Sequence, residues 1–390
     1  MPTRVLNSTL SLENSIRVVN PETQSESPIF IVGANRSGTT LLRLILNAHP
    51  NIAIPEEIIY FGSTMAGVPI AEWRKPALSE KAYQDFVADF VDNKCHVLDG
   101  IDHQEIKSEI LASHQRDFCF PYRTILEAWA KHHGKKRWGE KTPGNLFYAD
   151  ILVEMFPDAR FIHLVRDPRA GVSSMMKTTF FPNDIAFNAM SRRKFMRKGR
   201  AILEQAVPTS QRLLLRYEDI VTEPEISIRA ICDFIGETFE PAMLSFYKDS
   251  SKYMKAEAAS SFNKAATKPI SAEMLDKWKK HLSSDQVAMV EAVCRKEMQE
   301  FNYAFSENSL SLSQRFEYMT KKLYWGLPQW RHRRVRHFTV KSEMFARSKK
   351  RLSKIAGRPN GRENNDEGLE GSANKIIPES KPEAGEKLSV

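Results

Sequence analysis

Up to Ser27 the chain sustains neither a helical nor a strand period, and residues 1–27 read as a flexible leader. At Pro28 the pattern changes. Ile29-Phe30-Ile31-Val32 is a short, unbroken apolar run rich in β-branched residues, which predicts a buried strand. A loop from Gly33 to Gly38 interrupts it. Thr39 to Leu46 then repeats apolar positions at helical spacing and predicts a helix that stops near His49-Pro50. From Ala71 to His133 the apolar positions keep helical spacing without a strand signal, so about 62–134 reads as an all-helical insertion or lid. Strand character returns over Arg160 to Val165, followed by a turn at Asp167-Pro168 and a helix from Arg169. A further pair is a strand over Arg212 to Tyr217 and a helix from about Pro224 that ends at Gly236. Strands alternating with helices predict an α/β fold, with a parallel sheet flanked by helices, over one domain from 28 to 325. No repeat of fixed period is present.

Composition narrows the class. The chain has 390 residues, 42% hydrophobic and 27% charged, the balance of a globular protein. No apolar run approaches the roughly 18 residues needed to cross a bilayer, and Met1 to Asn20 lacks the apolar core of a signal peptide. Cys95, Cys119, Cys232 and Cys294 have neither zinc-ligand nor C-x-x-C spacing and read as packed, reduced thiols. A cytoplasmic location follows as the expectation, with peripheral contact at a membrane surface as an option. The formal net charge is +9. It is concentrated: Arg331, Arg333, Arg334, Arg336, Lys341, Arg347, Lys349, Lys350, Arg351 and Lys354 face one acid, Glu343, so this segment alone equals the whole excess. Residues 326–355 thus form a basic extension and 356–390, rich in Gly, Pro, Ser, Asn and Glu, a disordered tail. The basic segment suits an acidic partner, a membrane surface or simply solvent. Nucleic acid is not expected as the main ligand.

The most informative stretch is Gly33-Ala34-Asn35-Arg36-Ser37-Gly38-Thr39-Thr40. A strand, a loop with glycine at both ends and a helix start form an anion cradle, because backbone N–H groups and the helix dipole converge there. The glycine spacing is that of the P-loop nucleotide-binding motif, but Thr39 stands where that motif needs Lys. The cation lies inside the loop instead, at Arg36, whose planar fork suits a phosphate or sulfate oxygen. A second strand–turn–helix, FIHLVRDPRAGVSSMM from Phe161 to Met176, offers Arg166 and Ser174 for another anion if the two turns share a sheet edge. The competing reading pairs Arg166 with Asp167 as a helix cap.

Arg36-Ser37-Gly38-Thr39-Thr40-Leu41-Leu42, followed by Leu46-Asn47-Ala48-His49-Pro50, resembles the 5′-phosphosulfate loop of sulfotransferases that use 3′-phosphoadenosine 5′-phosphosulfate (PAPS). It is most similar to the protein-tyrosine sulfotransferase branch and its bacterial relatives. The resemblance implies a P-loop-type sheet, PAPS as sulfuryl donor with its bisphosphate (PAP) as product, and no metal. It implies transfer to a hydroxyl of an acceptor that the sequence does not identify: protein tyrosine, carbohydrate, lipid or small molecule. Glu56-Glu57 alone reads as acids in the first turn of a helix after Pro55; the resemblance makes Glu57 the general base. Lys141 alone reads as a solvated lysine on the turn Trp138-Gly139-Glu140-Lys141-Thr142-Pro143; the resemblance makes it catalytic, with Arg36 as the other charge stabiliser.

The same resemblance implies that Arg36, Ser37, Gly38, Thr39 and Thr40 hold the 5′ side, and that Arg166 and Ser174 hold the 3′-phosphate. Tyr217, Ser261, Lys264 and Lys268 would make further nucleotide contacts, with Lys268 before a helix containing Trp278. The sequence also departs from the branch. Ile54 and Gly139 occupy the places of its disulfide cysteines, and Thr178, beside Lys177, that of a further phosphate-binding Arg. Ile58-Ile59-Tyr60-Phe61 replace its peptide-binding basic residues. His163 reads as a packed core residue and His49 as a helix end. The run from Arg192 to Lys198 reads as a solvated face or a lure for an acidic acceptor. A P-loop nucleotide kinase and a non-catalytic anion- or membrane-surface binding protein are the rival functions; Mg²⁺-dependent ATP turnover would favour the first.

Overall fold

The computed structural model describes residues 27–58, 61, 78–254, 264–306 and 308–326. The chain divides into two units, Met1–Ser342 and Glu343–Val390. The leader, the basic segment from Arg331 and the tail lie outside the described residues.

Strand β1 (Ile29–Gly33) is buried along its whole length. Its alternation sends Phe30 and Val32 to one face of the sheet and Ile29 and Ile31 to the other, and each face has its own apolar core. Two-sided burial is what turns a strand sequence into a continuous apolar run. Helix α1 (Thr39–Asn47) returns from the strand and buries Leu42, Ile45 and Leu46 against the Ile29 face. Strands β2 (Ile52–Ala53), β3 (Arg137–Lys141), β4 (Arg160–Val165) and β5 (Arg212–Arg216) complete a sheet of order β2-β3-β1-β4-β5. All pairings are parallel; Ile31 lies opposite Lys141 and Gly33 opposite Leu164.

The stretch expected as an insertion or lid is helical where described: α2 (Glu80–Asp89), α3 (His103–Ala112) and α4 (Cys119–His132). It is a layer of the core. Tyr122, Ile125, Leu126 and Trp129 of α4 join Phe30, Trp138, Phe156 and Phe161 in one cluster, with the Tyr122 and Trp138 rings edge-to-face at 6.2 Å. Beyond β3 come α5 (Ala149–Met155) and, after β4, α6 (Pro168–Met176), whose N-terminus is capped by the Asp167 carboxylate. Then follow α7 (Ile185–Lys194), α8 (Arg200–Ala206), α9 (Tyr217–Thr222) and α10 (Pro224–Ile235), the last closed by Gly236 at φ 77°. Helices α11 (Ser284–Val293), α12 (Arg295–Glu300) and α13 (Leu312–Gly326) end the described chain. No described helix is long and apolar enough to cross a membrane. All four cysteines are free thiols.

Three local expectations are corrected. No helix covers 54–58 after Pro55. Instead Asn47 fixes this segment, donating to Ile54 O at 2.7 Å and accepting from Ile54 N at 2.9 Å, while Arg43 donates to the same carbonyl. The helix expected around Trp278 is replaced by short 3₁₀ turns, Ala272–Met274 and Lys277–Lys280. The turn expected around Lys141 is strand β3, buried at all five positions.

Asn47→Ala would leave the buried Ile54 N–H without its acceptor. We expect an unfolding free-energy loss of about 1–3 kcal/mol in denaturant titration, and a loss below 0.5 kcal/mol would disprove the bracket's importance.

Candidate functional site

The loop between β1 and α1 is shaped by its two glycines. Gly33 has φ 154° and a Cβ there would fall on the Leu164 carbonyl; Gly38 has φ 96° and a Cβ there would fall on the Tyr217 ring. Arg36 between them adopts φ 67°, a left-handed conformation that disfavours a side chain bearing Cβ. Its Nε donates to Ser174 Oγ at 3.1 Å, across from the first loop to α6. Ser37 and Thr39 are buried, and Thr40 is half-buried in the first turn of α1.

Because β4 lies directly beside β1, the second turn adjoins the first. Arg166 donates from Nη1 to Arg36 O at 3.3 Å and stacks over Tyr217, with its guanidinium carbon 4.0 Å from the ring centre. Its Nε is buried without a hydrogen-bond partner among the described residues. Asp167 does cap α6, accepting from Arg169 N at 2.8 Å, but without Arg166. Asp167 pairs with Arg169 at 2.7 Å, and Arg169 also bridges to Glu291 at 2.7 Å and covers the Trp278 ring. Arg36, Arg166, Ser174 and Tyr217 therefore meet at the C-terminal edge of β1 and β4 as one group rather than two separated sites.

Arg192 holds this group together, and its sequence reading as a solvated or acceptor-facing residue is wrong. It is 1% exposed. From α7 it donates to Asn35 O at 2.8 Å, Ser37 Oγ at 3.0 Å and Arg166 O at 3.1 Å, tying the first loop to the second. No carboxylate pairs with it among the described residues, and burial together with the nearby Arg166 charge lowers its pKa to about 10. Gly171 of α6 makes the space, since a Cβ there would fall on the guanidinium. One signal was available: Arg192 continues the helical series Ala186, Ala189 and leads to Met196, all buried.

A second cluster stands one strand away. Lys141, at the end of β3 and fully buried, donates to Glu57 Oε1 at 2.6 Å and lies 3.5 Å from Thr40 Oγ1. Glu57 keeps a third of its side chain exposed. Glu140, to which the sequence assigned no role, points the other way. It is buried, accepts from Asn145 Nδ2 at 2.6 Å and from the Thr142 hydroxyl, and burial raises its pKa to about 7, helped by the Glu57 charge.

The other expected residues are as follows where they are described. Lys268 is exposed and makes no hydrogen bond or ion pair with either cluster among the described residues. Lys264 belongs to a 3₁₀ turn whose side chain at that position lies outside the described residues, as does Ser261. Thr178 turns its hydroxyl to Met175 O at 2.8 Å, and Lys177 ends α6 exposed, near the charge of Lys277. His163 is buried on β4 and held neutral, its pKa lowered to about 3 by burial. His49 closes the end of α1 through Thr238 O at 2.9 Å.

A parallel α/β sheet with an arginine-bearing loop at β1 and a basic turn at β4 defines an anion-binding class of domain. The model of the sulfotransferase family matches residues 28–241, and the chain belongs to that family. It is 28% identical over 267 residues to a protein-tyrosine sulfotransferase 2 of Gallus gallus, covering 66% of this chain and 64% of that protein. It is likewise 28% identical over 271 residues to the protein-tyrosine sulfotransferase of Drosophila melanogaster, covering 66% of this chain and 48% of that one. The chain thus spans about half to two thirds of the length of these curated relatives. In fold it is similar to the sulfotransferase domain from the curacin biosynthetic pathway, with a TM-score of 0.53 at 20% identity, over 72% of this chain and 99% of that domain. It is also similar to the sulfotransferase domain of the Synechococcus PCC 7002 olefin synthase, with a TM-score of 0.51 at 22% identity, over 72% of this chain and 97% of that domain.

Two measurements check the site. Arg192→Lys keeps the charge but cannot reach three acceptors as a fork, so affinity for 3′,5′-adenosine bisphosphate, the product nucleotide of the reaction proposed below, should fall about 10- to 100-fold by calorimetry. Gly171→Ala should act in the same direction, and unchanged affinity in both would refute the linkage. The second concerns pH. Glu140 ionises near pH 7 when folded but near 4.5 when unfolded, so stability falls as pH rises across that window. His163 contributes the opposite slope below 6.5, equally in both proteins compared. The melting temperature of Glu140→Gln should therefore decline less from pH 4.5 to 7 than that of the parent; parallel profiles would contradict the assignment.

Proposed function

We propose that this protein transfers a sulfuryl group from PAPS to an acceptor hydroxyl. The observation that carries the reading is the convergence of Arg36, Arg166 and Ser174 in one cationic group, beside an α1 N-terminus that Lys141 approaches from β3 with Glu57 in hand. Two clustered arginines without carboxylate partners among the described residues, Arg166 and Arg192, favour a ligand with more than one anionic group. PAPS fits that demand, and it would supply the activated sulfuryl group. Ser37, Gly38, Thr39 and Thr40 would receive its 5′ anion at the helix start, with Arg166 and Ser174 on its 3′-phosphate.

Glu57 would take the proton from the acceptor hydroxyl. The acceptor oxygen then forms its bond to sulfur as the bond from sulfur to the 5′-phosphate oxygen breaks, releasing PAP. Charge grows on that leaving oxygen, where Lys141 and Arg36 would stabilise it. The tight Lys141–Glu57 pair orients the carboxylate and is itself shielded by the buried end of β3. Lys264, Lys268 and Ser261 are proposed as outer nucleotide contacts on the resemblance alone. The acceptor is left as a hydroxyl compound. Ile58 and Phe61 are buried, with Phe61 stacked on Tyr148 at 5.0 Å, so these positions offer no cation to an acidic peptide.

Calorimetry with PAP, with and without Mg²⁺, and with ATP plus Mg²⁺ tests the ligand; preference for ATP–Mg²⁺ would favour a kinase instead. Glu57→Gln should cut turnover about 10²- to 10⁴-fold while PAP affinity stays within twofold. Turnover within a few-fold of the parent would remove Glu57 from the mechanism.

A further inference from the structure

Helix α13 carries an apolar face that the described residues leave open. Leu312, Phe316, Met319 and Leu323 recur at steps of four, three and four, forming one stripe, and are 83%, 70%, 61% and 69% exposed. The opposite side of the helix meets the domain. Tyr318 accepts from Arg193 Nη1 at 3.2 Å, and Lys321 lies 3.4 Å from the Asp184 carboxylate. Arg315 and Lys322, seven residues apart, are exposed beside the stripe. The orientation is thus fixed by contacts, and the stripe is presented outward.

The sequence that continues from α13 has the same two chemistries. Leu327 and Trp330 come first, then the ten cations and single acid between Arg331 and Lys354, interleaved with Val335, Phe338, Val340, Phe345 and Leu352. We propose that α13 docks on an anionic phospholipid surface, to which the charge of the sequence after it would attract the chain. The stripe of Leu312, Phe316, Met319 and Leu323 would enter the boundary between head groups and acyl chains, and Arg315 and Lys322 would meet the lipid phosphates. Each chemistry alone gives reversible attachment; together they supply the two signals that stable attachment needs. A second copy of the chain fits less well, because two copies would bring the same net charge of +9 together. An acidic protein would use the cations but gives no reason for four large apolar residues in a row on the solvent side. The inference is independent of the transfer chemistry.

The test uses the full chain and vesicles of phosphatidylcholine with or without about 30% phosphatidylserine, at low salt and at about 0.5 M salt. Co-sedimentation should require phosphatidylserine and weaken in high salt. Phe316→Glu with Leu323→Glu should reduce partitioning about tenfold or more while the melting temperature is unchanged, since both side chains are exposed. Arg331→Ala, Arg333→Ala and Arg334→Ala together should weaken binding in the same direction. Absence of vesicle binding, equal binding to neutral vesicles, or indifference to the Glu variants would overturn the proposal. So would light scattering that shows a dimer broken by the same Glu variants without lipid binding, which would assign the stripe to a second copy.

Discussion

The geometry of the site rests on Arg192, whose charge is carried into the interior and directed at neutral oxygens. A buried guanidinium is tolerated only when its donors are met. Here two backbone carbonyls and a serine hydroxyl, from two loops that are far apart in sequence, accept three hydrogen bonds from its terminal nitrogens, while Nε is buried without a partner among the described residues. The consequence is mutual: the loops are fixed by the arginine, and the arginine is kept charged by the loops. Arg166 and Arg36 gather at the same sheet edge, so folding assembles positive charge that a polyanionic ligand can relieve. A polyanion bound at this edge would therefore stabilise the fold as well.

Strand β3 supplies the second half of the arrangement by a different device. Its ends are charged, yet it lies inside the sheet. Arg137 is absorbed by Ser27 O, Ile235 O and Glu237, and Glu140 by Thr142 and Asn145. Lys141 is turned instead toward Glu57 and Thr40. Adjacent residues on a strand point to opposite faces, and that alternation separates the buried acid Glu140 from the pair at its neighbour. The layer containing α4 closes one face of the sheet with aromatic contacts, while the Lys141–Glu57 pair keeps its carboxylate a third exposed.

Much of this frame was legible beforehand. The continuous apolar runs of β1 and β4 marked strands buried on both faces, and the Pro224 to Gly236 interval marked α10 with its glycine cap. Strands β2 and β3 were not legible. The first is two residues long, and Arg137-Trp138-Gly139-Glu140-Lys141 has the composition of a surface turn because its burial depends on partners distant in sequence. The loop after Pro55 was misread for a related reason: local acids suggested a helix start, whereas Asn47 and Arg43 hold Ile54 in an irregular path.

The sequence by itself determined the strand–loop–helix units, the displaced cation at Arg36 and the spacing of Arg166 to Ser174, because these depend on local periodicity, glycine and residue type. Only the tertiary structure decided that the two basic turns are neighbours, since sheet order sets β4 beside β1. It alone also revealed that Arg192 is interior, that Lys141 grips Glu57, and that α13 shows its apolar stripe to the outside. Those facts depend on which surfaces come to face one another, and a charged or apolar residue carries no local mark of the neighbour it will meet.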